Sequence, residues 1–446
     1  MEYIDTGIKQ LSSYNENEDA TIQKYRIDFY LEKSFLLSEQ EKYDEAYDWL
    51  KKASEIAKPY RSNRIHSTYY AIENSNFDTH FWIICQYLKR SPNKLHSILS
   101  EIIESFPEYH HCFLVEYYTI FNFIINDEFL TENSAEQRKV CEYLLLTLLN
   151  AQEIKHISKI RDPSQFDIVY YTKLSNLRLL FEDEKEREIQ YRMPFFHAHH
   201  MNDPQEGKIL DDYLNHTSKS ATAQADGRIT YEENYVFLKS YFSYPKKDGE
   251  SHIREFLPMW VQYGDDAKGC CVVLNSKTFE GCTLRKITYL SDEWRCDDEK
   301  INKLLEEFKE SYDKAQKICT DILEKSLKQG AQKTERCALE IQSILKHIVS
   351  HIAYLFKHES YKHENEVRLI KTLSESKLTE TKTICGEIPK TYIYNDSPTF
   401  IDEIIMGAKV QNPEDYIPFF SIHGRKMWES EPAKQLKISH SALRYR

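Results

Sequence analysis

The sequence predicts an α+β protein: an all-helical first part, 1–162, then a mixed sheet part, 163–446, that carries a long helical hairpin at 298–358. Three observations predict it. Apolar residues recur at helical spacing from about 22 to 160. Short β-prone runs begin after Arg161–Asp162–Pro163. Two long amphipathic stretches then interrupt those runs.

In the helical part, Tyr43, Ala46, Tyr47, Leu50, Ala53 and Ala57 fall on one face of a helix. The small alanines let a neighbouring helix approach closely. Together with a preceding helix, Asp28 to Ser38, the segment YDEAYDWLKKASEIAKPY resembles one tetratricopeptide repeat, with its two alanines seven apart and a closing Pro59. Further helices are expected at Cys112 to Ile125 and Arg138 to Leu149. Arrays of this kind present a concave surface to a protein partner, although a plain bundle without one accounts for the same pattern.

In the second part, strands are expected at Ile168–Tyr171, Tyr235–Tyr241, Cys270–Leu274, Leu284–Leu290 and Val367–Leu373, with a weakly alternating last strand within Leu436–Arg446. The first hairpin helix follows from Ile301, Leu304, Leu305, Phe308, Tyr312, Ala315, Ile318, Cys319 and Ile322. Ile341, Ile344, Leu345, Ile348, Ile352 and Phe356 give the second, with Gly330 in the connection.

Composition narrows the function. A formal charge of −12 leaves no overall basic footprint for duplex nucleic acid. Only 11 glycines in 446 residues, and no GxGxxG or GxxxxGK[ST], argue against a glycine-loop nucleotide site. HExxH and GxSxG are absent too. Ten cysteines without a CxxC read as free thiols of a reducing compartment, and Cys270–Cys271 as core. No apolar run reaches the length of a membrane span and no signal-peptide core opens the chain, so a cytoplasmic protein is expected.

Four clusters carry candidate chemistry. YYTKLSNLRLLF, Tyr170 to Phe181, is a strand ending in Tyr–Thr and then a helix that Thr172 or Ser175 can cap. FFHAHHMNDPQEG, Phe195 to Gly207, contains a turn at Asn202–Asp203–Pro204. Its His197, His199 and His200, with Asp203 and Glu206, would suit a nuclease or metal-dependent hydrolase. LPMWVQYGDDAKGCCVVL, Leu257 to Leu274, places Met259 and Trp260, core or ligand platform, before an acidic turn and a buried strand. In YKHENEVRLI, Tyr361 to Ile370, a strand from about Asn365 would send Glu364, Glu366 and Arg368 to one face, lining a groove or forming a surface row of salt bridges.

At these clusters the chain resembles a mainly bacterial family, domain of unknown function 2971, over roughly 165–446. The resemblance rests on Tyr170–Thr172, the MNDPQEG loop Met201–Gly207, Ser240–Ser243, PMWVQYGDDAKG at Pro258–Gly269, ENEVRLI at Glu364–Ile370 and a closing Ser441–Arg446. It departs at the first strand, where Tyr170 stands in place of a common histidine. The order of a Tyr-x-Thr strand, a serine-bearing middle strand and a late Glu-x-Glu strand is also similar to the ADP-ribosyltransferase fold.

That similarity implies NAD as substrate, with nicotinamide released and ADP-ribose passed to an acceptor or to water. It implies Glu366 as the residue stabilising ribosyl cation charge and Glu364 as the one orienting the acceptor, roles that they can exchange. Tyr170, Thr172, Asn202, Asp203, Ser240 and Tyr241 would bind the dinucleotide, Tyr241 or Phe242 stacking on nicotinamide, and Arg368 would contact phosphate or fix Glu366. The helical part would select the target or restrain activity. A non-enzymatic helical scaffold or sensor with a ligand-binding second part is the alternative.

Overall fold

A computed structural model describes residues 2–11, 20–57, 83, 84, 86, 87, 134–181, 191–201, 203, 206–215, 235–246, 256–329, 332–373, 375–385, 389–395, 397–441 and 443. The expected helix at Cys112 to Ile125, Pro59 and Gly330 lie outside these residues. Both helix and sheet are present, and the chain divides into two compact units.

The helical unit comprises 1–157 together with 298–351. It holds α1 (Glu2–Leu11), α2 (Ala20–Glu39), α3 (Tyr43–Ala57) and α4 (Ser134–Ile157), the hairpin helix α8 (Glu299–Gln329) and all but the last two residues of its partner α9 (Gln332–Ala353). In its contacts the long hairpin therefore groups with the helices at the start of the chain. Its second helix ends at Ala353, and Phe356–His358 is strand. The periodicity of α3 buries the expected face: Ala46, Tyr47, Leu50 and Ala53 are core, and Ser34 of α2 donates to the Ala46 carbonyl at 2.6 Å. Tyr47 is 2 % exposed and stacks on Tyr87 at 4.1 Å, so it is packing rather than partner surface.

The sheet unit comprises 158–297 and 352–446. Its strands are β1 (Phe166–Thr172), β2 (Pro194–His197), β3 (Val236–Pro245), β4 (Cys270–Leu274), β5 (Arg285–Lys286), β6 (Thr288–Leu290), β7 (Phe356–His358), β8 (Glu366–Thr372), β9 (Lys382–Ile384), β10 (Lys390–Tyr394), β11 (Ile401–Met406) and β12 (Lys437–His440). Short helices α5 (Leu174–Phe181), α6 (Ile209–Asn215), α7 (Leu257–Gln262) and α10 (Ile417–Met427) join them. The main sheet runs β12-β11-β4-β1-β3-β2-β10-β9, with β8 on the other edge of β3 and β5 beside it. The expected last strand is present as β12, parallel to β11. The expected Leu284–Leu290 run breaks in two, β5 joining the main sheet while β6 pairs with β7.

Alternation supplies two cores. Ile168, Phe237, Tyr241, Val272, Val367 and Ile404 fill one, and Val169, Tyr171, Phe242, Trp260, Val273 and Ile405 fill the other. All five residues of β4 are buried, as expected for a strand covered on both faces.

The feature that positions a site is the length of β3. On one edge, Phe242–Pro245 pair with β1 while Phe237–Leu238 pair with β2. Among the described strands nothing covers that edge at Lys239, Ser240 and Tyr241, so the sheet splits there. β8 covers the opposite edge from Val236 to Phe242.

The end of β1 is held by a close approach. A Cβ on Gly269 would lie 2.2 Å from the Thr172 carbonyl oxygen, too near for any side chain. Gly269→Ala is therefore expected to lower stability by about 1–3 kcal/mol, read from urea unfolding, whereas a neutral result would show that β1 and β4 have room to part.

Candidate functional site

A cavity of about 760 Å³ opens at the split of the sheet, within the size range of small-molecule sites. Its wall includes Tyr170, Thr172, Asp203, Ser240, Tyr241, Glu364 and Glu366. These come from four chain regions that the sequence separates by up to two hundred residues. Asn202 lies outside the described residues. Arg368 stands behind the wall, 0 % exposed.

Glu366 and Glu364 reach the cavity in different ways. β8 begins at Glu366, opposite Phe242, and Ser240 faces Arg368, so alternation puts Ser240, Glu366 and Arg368 on one face. Glu364 instead ends a 3₁₀ turn, Glu359–Glu364, and so is not a strand residue. Asn365 between them is left-handed, φ 40° and ψ 51°. Its side-chain amide donates to the Ser243 carbonyl, and its own carbonyl accepts from the Ser243 N–H at 3.1 Å. This tie, available to asparagine at modest cost, swings Glu364 back beside Glu366.

Behind the carboxylates lies a buried ionic network. Arg368 donates through Nε and Nη2 to the two Glu366 oxygens, and through Nη1 and Nη2 to Glu206, with a further bond to the Tyr354 carbonyl at 2.9 Å. Lys357 of β7 bridges the pair, its Nζ 2.7 Å from Glu364 and 2.8 Å from Glu366. Tyr263, just past α7, donates its hydroxyl to the other Glu364 oxygen. The Glu366 N–H donates to Tyr289 at 2.8 Å.

The electrostatic consequences differ by residue. Burial alone would raise the Glu366 pKa, but Arg368 and Lys357 outweigh it and pull the carboxyl down to about 2. Glu366 is thus ionised at any physiological pH, fit to stabilise a cation and unfit to shuttle protons. Glu206 goes the other way: burial raises it, Arg368 opposes, and the neighbouring Glu366 charge adds to the rise. Burial works against the Lys357 charge, yet Glu366 and Glu364 leave its pKa above the ordinary lysine value.

The opposite wall is built from β1 and β3. Burial would raise the Tyr170 pKa, but the Lys239 ammonium and hydrogen bonds to Thr172 and Lys239 leave it below the ordinary phenol value. Asn176 of α5 donates to Thr172 Oγ1 at 3.0 Å, so Thr172 engages a side chain. Ser240 Oγ is buried and has no hydrogen-bond partner among the described residues. The Tyr241 ring meets Phe279 edge-on at 5.5 Å, while Phe242 stacks on Phe256 at 5.7 Å, so both rings belong partly to the core. Met259 and Trp260 are core as well, and Met259 also touches the cavity.

Two of the clustered histidines make backbone hydrogen bonds, and His200 also lines the cavity. His197 accepts from the His199 N–H at 3.3 Å, and His200 Nε2 accepts from the Thr391 N–H at 3.1 Å. Among the described residues no group of three or more His, Cys, Asp or Glu is arranged to hold a metal. Lys357, Tyr263 and Lys239 join the site although no sequence pattern singles them out as site residues. Tyr263 stood within PMWVQYGDD, and Lys239 was a lone charge in an otherwise apolar strand; Lys357 had no signal.

Replacing Arg368 by Leu strands two buried carboxylates, and a loss of about 3–5 kcal/mol is expected at neutral pH. Stability that comes from the depressed Glu366 is present above the ordinary value of 4.5 and is lost as pH falls towards about 2. The raised Glu206 opposes this, relieving strain as it protonates first. Glu366→Gln should flatten the acid limb of stability against pH, measured by urea unfolding between pH 2 and 5; an unchanged limb would show that Glu366 is not the titrating group.

No curated protein and no solved structure matches this chain. Residues 259–369, which contain Met259, Tyr263, Lys357, Glu364, Glu366 and Arg368, match the model of one family, described as Protein of unknown function (DUF2971).

Proposed function

We propose that the cleft binds NAD as a substrate and breaks its nicotinamide–ribose bond, as an ADP-ribosyltransferase-like or NAD-cleaving enzyme. One observation carries the reading: Glu364 and Glu366 line the same cavity as Tyr170, Thr172, Ser240 and Tyr241. In the reaction the bond between ribose C1′ and the pyridinium nitrogen breaks. Its electron pair goes to the ring, and neutral nicotinamide leaves. The ribosyl cation left behind faces an ionised Glu366. An acceptor nucleophile or water then adds to C1′ and gives up its proton to solvent.

The site suits that charge development. Three carboxylates, Glu206, Glu364 and Glu366, face two cations, Lys357 and Arg368, so the fully ionised network carries one negative charge in excess. Glu364, held by Tyr263 and Lys357, is positioned to orient the acceptor. Ser240 Oγ offers an unspent hydrogen bond to the nicotinamide amide. Arg368 has its donors committed to protein acceptors, which favours fixing Glu366 over contacting phosphate.

The α2–α3 pair is read as a tetratricopeptide-like repeat, and the helical unit as the part that selects a protein target or restrains activity. Exposed Tyr25 of α2 suits that contact better than buried Tyr47. The cytoplasm is the compartment proposed: Cys141, Cys270, Cys271, Cys282, Cys296, Cys319 and Cys385 are free thiols. Among the described residues no helix is long and apolar enough to cross a membrane.

A second reading, a non-enzymatic ligand-binding unit on a helical scaffold, draws on the same network. Both Glu366 oxygens already accept hydrogen bonds from buried cations, the arrangement of a structural ion cluster. Incubation with NAD labelled in the nicotinamide separates the two. The enzyme releases label, and Glu366→Gln slows release by about 10²-fold or more, with Glu364→Gln lowering transfer relative to hydrolysis. Binding of NAD without release would leave the scaffold reading and remove the catalytic one.

A further inference from the structure

Lys239 is the single charged residue of β3, and it is 3 % exposed. Alternation turns it to the face of β3 away from Ser240, and so away from Glu366 and Arg368. Among the described residues no carboxylate lies within ion-pair distance of it. Its neighbour is Tyr170, whose ring centroid is 3.2 Å from Nζ. Burial lowers the Lys239 pKa and only Tyr170 works against that. A buried ammonium lacking a counter-charge is unfavourable, and buried charges are ordinarily paired.

Leu177, Leu180, Met193 and Val272 share a small, largely apolar pocket with Lys239 and Tyr170. Tyr241, two residues on and on the same face, has a buried hydroxyl with no hydrogen-bond partner among the described residues. Burial pushes its pKa up, and Cys282 and then Tyr170 add to the rise. Tyr170, Lys239 and Tyr241 are all residues of the cavity wall, with Lys390 and the Asp265-paired Lys173 exposed at its rim.

We propose that Lys239, with the hydroxyls of Tyr170 and Tyr241, forms an anion subsite that seats a phosphate or diphosphate group of the cleft's ligand. The ammonium supplies charge-assisted hydrogen bonds to phosphoryl oxygens, and the orphan Tyr241 hydroxyl supplies another. Arg368, its donors spent, plays no part. The cleft is then polarised, with carboxylates on one wall and an unpaired cation on the other. A dinucleotide that presents an incipient ribosyl cation and a diphosphate complements both. Naming the anion as the diphosphate of NAD rests on the reading above; the anion subsite itself does not.

The test titrates inorganic pyrophosphate, inorganic phosphate and ADP-ribose into the full chain by calorimetry, for the native protein, Lys239→Met and Tyr241→Phe. Pyrophosphate and ADP-ribose are expected to bind the native chain, with affinity lowered about tenfold or more in Lys239→Met and several-fold in Tyr241→Phe. Thermal melting of Lys239→Met should be unchanged or higher, because a buried uncompensated charge has been replaced by an apolar chain of similar volume. Should Lys239→Met fail to fold, the affinity loss in Tyr241→Phe decides. Phosphate binding alone would place a free anion rather than a dinucleotide on the subsite. Lys239-dependent binding of ADP-ribose without nicotinamide release would uphold the subsite while the NAD-cleaving reading failed. Absence of binding to the native chain, or equal binding to all three proteins, would overturn the subsite even if NAD were cleaved.

Discussion

A guanidinium that is wholly buried must have its N–H groups placed against acceptors, and Arg368 meets that demand with Glu366, Glu206 and the Tyr354 carbonyl. The carboxylate wall of the candidate site follows from this requirement. Glu206 arrives from the loop that precedes α6, and Tyr354 from the link between α9 and β7. Lys357, three residues after Tyr354, is thereby set against Glu364 and Glu366. Pairing across so many chain segments is costly to assemble, since each ion loses its water. It yields a carboxylate wall with fixed geometry, which a solvated row of charges would not provide.

The second organising element is β3. A strand long enough to pair with β1 at one end and β2 at the other leaves its middle uncovered on that edge. Both faces of that middle stretch contribute to the cavity, Ser240 on the carboxylate side and Lys239 with Tyr241 on the other. Separation of unlike charges across one strand lets a single ligand meet both. A flat, fully paired sheet would have buried Lys239 with no opening onto a cavity.

Much of the wall was legible along the chain. Glu366 and Arg368 share a face because strand side chains alternate, and the spacing of ENEVRLI declared that. Tyr170, Thr172, Ser240 and Tyr241 were marked by strand-end patterns and by the resemblance they carry. Glu364 was expected on the same strand face, but it reaches the wall through the left-handed Asn365, a local reversal that alternation does not describe. Tyr47 shows the converse limit: an aromatic on an amphipathic helix face reads equally as a partner contact or as core, and burial against Tyr87 makes it core.

Local patterning was sufficient for the class of each part, the strand faces and the α3 packing face, because periods of 2 and 3.6 residues depend only on backbone geometry. It was silent on which segments meet. That Glu206 shares Arg368 and that Lys239 lies over Tyr170 are outcomes of chain packing at large sequence separation, and that Lys357 joins Glu364 with Glu366 depends on the reversal of the chain between β7 and β8. Charge pairing is a property of distance in space and of exclusion from water, and neither quantity exists until the segments have folded against one another.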